Sequence, residues 1–268
     1  MTQLEVTILG SGSSGGVPRA DGNWGACDPA EPKNRRRRCS LLLRRQGKGA
    51  RTTVVVDTAP DFREQAISSR IQRLDGILFT HDHADQAHGI DDIRAFAINQ
   101  RARIPAWMDE RTSEILHRRF NYIFQSAGGY PAICEARAIP GLGVRFEVEG
   151  PSGSIPVVAF DVEHGEIRSL GFRFGPVAYT PDVNGLPQSA FDALEGVDTW
   201  IVDALRYTPH PTHANLDQTL AWAAQVKPRR TILTNLHIDM DFNRLRAELP
   251  PGVEPAFDGL SFETDLAP

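Results

Sequence analysis

An apolar strand pattern over Gly76 to Thr80 runs without a break into His81, Asp82, His83, Ala84 and Asp85. No other stretch restricts the fold and its chemistry as much. Two imidazoles and a carboxylate leave the end of a buried strand at one-residue spacing, and their nitrogen and oxygen donors together suit zinc, manganese or iron. With only eight histidines in 268 residues, this density at a strand end favours a metal over a hydrogen-bonded turn.

A metal needs further ligands, and the chain offers three at other strand ends. His164 follows a strand pattern over Ile155 to Phe160, Asp182 follows Val177 to Thr180, and His237 follows Thr231 to Thr234. Alone, each reads as an ordinary turn residue. Two ions a few ångströms apart would need a bridging carboxylate, for which Asp182 is the candidate.

Alternation and β-branched content mark further strands over Leu4 to Leu9, Ser40 to Arg45, Thr52 to Asp57, Leu170 to Phe174 and Thr199 to Asp203. Apolar residues three and four apart predict helices over Asp61 to Arg70, Asp91 to Gln100, Glu110 to Phe124, Asn215 to Val226 and Phe242 to Leu249. The mixture reads as α/β or α+β. There is no internal repeat and no low-complexity linker, and the 23 glycines and 19 prolines are scattered over many short turns. One domain over residues 1–268 is expected. Gly10 to Cys39 is the long irregular exception.

The chain carries 29 basic and 34 acidic side chains, a formal charge of −5. That balance gives no global reason to bind nucleic acid. No stretch approaches the length of a membrane span, and Met1 to Gly10 lacks a basic start and a signal-peptide core, so a cytoplasmic protein away from membranes is expected. Three cysteines, Cys27, Cys39 and Cys134, read as reduced thiols.

Strand, HxHxD, then His, then Asp, then a late strand ending in LTNLH is an ordered series that resembles the metallo-β-lactamase fold hydrolases over nearly the whole chain. The opening GSGSSGGVP from Gly10 to Pro18, the stretch THDHADQAHGIDD from Thr80 to Asp92, and DGL from Asp258 to Leu260 look most like the phosphoribosyl cyclic phosphate phosphodiesterase branch. The resemblance implies a four-layer αββα sandwich with a dinuclear site at one edge. It makes His81, His83 and His164 the first metal site, Asp182 the bridge, and Asp85 a ligand of the second site.

Two positions depart from the family pattern. Gln86 stands where a second-site histidine is usual, and Asn235 where LTH is common, with His237 two residues later. One or two divalent ions, zinc or manganese, therefore remain alternatives, and His237 or Gln86 is left to complete the second site. The early loop holds only Cys27 and Cys39 where the resemblance implies several cysteines around a structural zinc. Two sulfurs do not close a four-coordinate site, so the thiols are expected to pack.

Weaker signals complete the reading. Gly10 to Gly15 satisfies GxGxxG, but Pro18, Gly22 and Gly25 follow without helical periodicity, so a flexible loop is expected, its amides free to face a phosphate. Arg35 to Arg38 reads as a solvated loop face, with Arg38 the residue best placed for substrate. The resemblance makes His213 a general acid that protonates the leaving alcohol, while His210, His88 and His117 keep no assigned chemistry. Asp57 is expected to support a ligand histidine.

Together these imply a metal-dependent hydrolase that cleaves a small cyclic or nucleotide-like phosphodiester. A hydroxide on the metal would attack phosphorus, Asp85 would orient the water and His213 would protonate the departing oxygen. An RNA-processing nuclease, a thioester or lactone hydrolase of the same fold, and a metal-binding nucleotide sensor with little turnover are the alternatives. The expected partner is a small substrate, and a homodimer is left open.

Overall fold

The computed structural model describes residues 2–47 and 49–266. Leu41, Leu42 and Leu43, and likewise Val54, Val55 and Val56, are all buried although successive strand residues face opposite sides. Such unbroken apolar runs belong to strands with neither face in water. The odd-numbered leucines and even-numbered valines pack against a second sheet, while Leu42 and Val55 pack against helices.

In chain order the strands are β1 (Thr2–Gly10), β2 (Ser40–Gln46), β3 (Arg51–Val56), β4 (Gly76–Leu78), β5 (Ile104–Met108), β6 (Cys134–Ala138), β7 (Arg145–Val148), β8 (Ile155–His164), β9 (Ile167–Phe174), β10 (Val177–Thr180), β11 (Thr199–Asp203), β12 (Arg230–Thr234), β13 (Val253–Pro255) and β14 (Ser261–Leu266). The helices are α1 (Phe62–Ser68), α2 (Ala84–Ala87), α3 (Arg94–Gln100), α4 (Glu110–Arg119), α5 (Asn121–Phe124), α6 (Gln188–Leu194), α7 (Leu216–Val226) and α8 (Phe242–Glu248).

Two seven-stranded sheets result, ordered β14-β1-β2-β3-β4-β5-β6 and β13-β12-β11-β10-β9-β8-β7. Leu4, Val6, Ile8 and Leu78 from the first meet Val157, Phe172, Tyr179 and Ile201 from the second. Phe62 of α1, Phe96 of α3 and Leu116 of α4 cover the outer face of the first sheet. Ala190 and Leu194 of α6, Leu216 of α7 and Leu245 of α8 cover the second, around the fully buried Trp200. This is a four-layer αββα sandwich, as the family resemblance implied. No helix among the described residues is long and apolar enough to cross a membrane.

Several elements differ from the sequence expectation. The helix expected over Glu110 to Phe124 breaks at Phe120, whose φ of −130° and ψ of 42° leave the helical region. Its ring turns edge-on to His88 at 5.3 Å between centroids. Asp91 to Gln100 divides into a 3-10 turn over Ile90–Ile93 and then α3. The strands β5, β6, β7, β13 and β14 and the helix α6 escaped the sequence reading. In β6 only Cys134 is buried, so no apolar alternation exists to be read. Asn215 does cap α7, its side chain accepting from Gln218 N.

The segment between β1 and β2 is pinned rather than loose. Gly12 forms isolated bridges to Arg38 and Leu236. A Cβ on Gly10 would stand 1.9 Å from the Arg38 carbonyl oxygen, so only glycine permits this approach. Arg36 is buried and donates to Met240 O at 2.7 Å, tying the loop to the turn before α8.

Candidate metal centre

Parallel pairing of β3 with β4, and of β10 with β11 and β12, sends the carboxyl ends of these strands toward one rim. Open sheets place ligands outside such ends. His81 and His83 follow β4, His164 ends β8, Asp182 follows β10, Asp203 ends β11 and Asn235 follows β12.

The hydrogen bonds around His81 determine its tautomer. Thr80 Oγ1 donates to Asp57 Oδ2 at 2.9 Å, and its lone pair lies 3.0 Å from His81 Nδ1. The threonine proton is thus engaged, so Nδ1 carries the imidazole proton and Nε2 keeps its lone pair. That Nε2 is buried and has no hydrogen-bond partner. His164 repeats the arrangement, since Nδ1 lies 2.7 Å from the Thr212 carbonyl oxygen, which can only accept. Burial, helped by the neighbouring imidazoles, pushes His81 well below the ordinary histidine value; burial likewise takes His164 down to about 3. Both are held in the neutral form that binds metal.

The rings of His81, His83 and His164 lie 4.5, 5.0 and 5.2 Å apart by centroids. Each brings a nitrogen within 4.8 Å of the others, and His164, Asp182 and His213 form a second such group. The orphaned Nε2 and the two enforced tautomers fit a divalent cation. Burial drives Asp182 well above the carboxylate range; His213 opposes this while Asp85, Asp203 and Asp57 add to it, a crowding of acids that a cation relieves.

Asp57 meets its expected place one residue removed, through Thr80 rather than by touching an imidazole. Replacing Thr80 by Val should keep the fold but leave His81 Nδ1 only the more distant Ser169 hydroxyl, at 3.4 Å. Metal affinity is expected to fall about 10- to 100-fold, measured by competition with a chromophoric chelator; unchanged affinity would show that the relay does not matter.

His213 Nδ1 lies 2.7 Å from Asp203 Oδ2, and its ring is 4.7 Å from that of His164. Burial pulls its pKa down, but Asp203 and Asp182 overcome that and hold it up to about 9. Asp203 was missed in the sequence, although it ends its strand just as Asp182 follows its own. Asp82, between the two histidines, is buried and faces Arg111 at 3.5 Å and Arg119 at 3.4 Å.

Other expectations need correction. His237 does not join the cluster: Arg19 Nη2, which can only donate, lies 2.6 Å from its Nε2, and Asp239 Oδ2 lies 2.9 Å from its Nδ1. Both ring nitrogens are engaged. Asn235, not His237, is the residue of that turn beside Asp182, at 3.4 Å from Oδ1. Asp85 lies outside both groups, half-buried, with its Oδ2 3.4 Å from Gln86 Nε2.

Most of the loop amides at the glycine-rich segment are engaged within the protein. Those of Ser11, Gly12, Ser13 and Gly16 donate to Asp258, Arg37 O, Leu236 O and Ser13 O. The arginine run is structural more than solvated: Arg36 is buried, Arg37 pairs with Asp258 at 2.9 Å and Arg38 with Asp61 at 3.2 Å. Cys27 packs with Val17 and Ile238, and all three cysteines are buried free thiols.

Residues 52–238, most of the chain, match the family model of the β-lactamase superfamily domain. The chain belongs to the metallo-β-lactamase superfamily. Within it the chain lies near the PhnP family. A diphosphatase of the PhnP family is 35% identical, with 98% of each chain covered and a TM-score of 0.87. Zinc-bound PqqB from Methylobacterium extorquens superposes at TM-score 0.73 with 17% identity, over 96% of this chain and 99% of that one. Human short-form tRNase Z does so at 0.65 with 16% identity, over 98% and 99%. At these identities the last two share the fold. A curated octanoyltransferase of Porphyromonas gingivalis is 27% identical over 264 residues, covering 96% of this chain and 51% of that protein. The chain thus spans about half the length of the curated relative it matches.

Proposed function

We propose that this superfamily member hydrolyses a small cyclic or nucleotide-like phosphodiester, with zinc or manganese on His81, His83, His164 and Asp182. The carrying observation is the pairing of His213 with Asp203 beside the histidine triad. An alkoxide leaves phosphorus poorly and needs a proton, whereas a thiolate leaves from an acyl group without one; a positioned general acid therefore favours the phosphodiester. Bound there, the ion supplies Lewis acidity at the phosphoryl oxygens and a nucleophile from water at neutral pH.

The residues divide the remaining work. Asp203, fully buried, accepts from Nδ1 of His213 and leaves Nε2 as the nitrogen that gives the proton. Asp85 accepts a hydrogen bond from the attacking water and aims it. Arg38, with Arg19, Arg35 and Arg37, lines a groove of about 610 Å³ and draws the anionic substrate, Asp61 holding its guanidinium in place.

A second reading, cleavage of a phosphoanhydride, is favoured by the diphosphatase that shares 35% of the sequence. Assaying the metal-loaded protein on a ribose cyclic phosphodiester, bis(para-nitrophenyl) phosphate, a nucleoside diphosphate and a thioester separates the readings. The cyclic diester should turn over with the highest kcat/KM. Preference for the diphosphate would favour the second reading, and turnover confined to the thioester would end both.

A further inference from the structure

We infer that this centre takes one divalent cation rather than two, because the side-chain amides of Gln86 and Asn235 fill the place of a second. The inference rests on the metal centre proposed above. Asp85 and Asp182 converge as a pair of carboxylates would around a second cation. Between them lies Gln86 Nε2, 2.9 Å from Asp182 Oδ2 and 3.4 Å from Asp85 Oδ2. One NH2 group thus offers its two hydrogens to the two acids, giving each a partial positive charge where an ion would give a full one.

Asn235 works on the other side of Asp182. Its Nδ2 donates to the Pro181 carbonyl oxygen at 2.8 Å, which settles which end of the amide faces inward, and reaches Asp182 Oδ1 at 3.4 Å. An amide nitrogen has no lone pair to give a metal. Turning Gln86 over would set its carbonyl oxygen against Asp182 Oδ2 at the distance the nitrogen now holds, acceptor against acceptor. As placed, Gln86 Oε1 is buried and unpaired, a lesser penalty than facing an anion.

His213 is the one further imidazole that converges on the rim, in a group that shares His164 with the triad. Of the eight histidines, His88 and His117 pack on Phe120 and Phe124. His237 is engaged at both nitrogens, and His210 Nδ1 accepts from Thr212 N. The two groups that converge, His81 with His83 and His164, and His164 with Asp182 and His213, share His164. Its Nδ1 is committed to Thr212 O, so its single free lone pair serves one ion. The two groups therefore do not each hold an ion of their own.

The test is stoichiometry. The full chain, stripped and then titrated with Mn(II), should hold one equivalent by elemental analysis after gel filtration, with the paramagnetic resonance spectrum of an isolated ion. Gln86→Glu, nearly isosteric, replaces the amide by a third carboxylate and should take up a second equivalent, with the spectrum of a coupled pair; Gln86→His with Asn235→His should do the same. Two equivalents in the unaltered chain would overturn the inference and leave the metal centre standing. A folded Gln86→Glu that still binds one ion would overturn the role given to the amide. No bound metal at all would instead remove the centre itself.

Discussion

Replacing His83 with alanine is expected to abolish metal binding and hydrolysis together. The three imidazoles are not equal tests of the centre. His81 and His164 are buried, so their loss also leaves cavities and stranded partners, Thr80 in one case and the Thr212 carbonyl in the other. His83 is exposed, and its hydrogen bonds run through its carbonyl oxygen, which accepts from Gln86 N and Ala87 N, rather than through its ring. Its truncation removes a ligand atom and little else, and the metal-free variant should unfold at the same temperature as the metal-free parent. An ion that stabilises charge at a phosphoryl group is worth several kcal/mol, so turnover should fall about a thousandfold or more. Elemental analysis beside a melting curve checks this. Full metal content in His83→Ala would show that the ion sits elsewhere.

Truncating His213 is expected to separate chemistry from metal binding. His213→Ala should keep its ion on His81, His83 and His164 while kcat on an alkyl phosphodiester drops about 10²- to 10⁴-fold, the usual contribution of a positioned general acid. On bis(para-nitrophenyl) phosphate, whose phenolate leaves without a proton, the loss should be far smaller. Equal losses on both substrates would remove the general-acid role. The substitution also takes from Asp203, which is fully buried, its closest partner, leaving it the Val183 amide at 3.2 Å and the Asn235 side chain. Some stability is therefore lost whatever the chemistry. His213→Gln, which can still bond Asp203, controls for this: it should recover stability without recovering turnover of the alkyl ester.

The centre was legible where ligands follow one another along the chain or end a strand. His81 and His83 declare themselves because the strand before them is apolar and their spacing is short. His164 and Asp182 were found by the same rule, that a strand of one sheet stops where its neighbours stop. The rule misled at His237 because it says where a residue sits in the chain and nothing about where its ring turns. Arg19, more than two hundred positions away, takes that ring. It left Asp203 unnoticed because a single carboxylate at a strand end carries no mark of the imidazole it will meet.

Strand content was readable along most inner strands, with β5 the exception although four of its five residues are buried. The strands at the sheet margins were not, since β6 buries one residue and β13 has only three. The arginine run is the sharpest instance of charge misleading. Four adjacent guanidiniums suggest a solvated face, yet Arg36 threads inward to carbonyl oxygens of a segment two hundred residues later.

By itself the sequence determined the mixed strand and helix content and the histidine cluster, because apolar periodicity and short ligand spacing are local and act whatever lies across the molecule; the layered sandwich was implied by the family resemblance. The tertiary structure alone decided which histidine nitrogens stay free and which carboxylates share an amide. Those depend on hydrogen-bond partners brought together from strands far apart in the chain. A proton on one imidazole nitrogen is placed by whatever accepts it, and only folding supplies that acceptor.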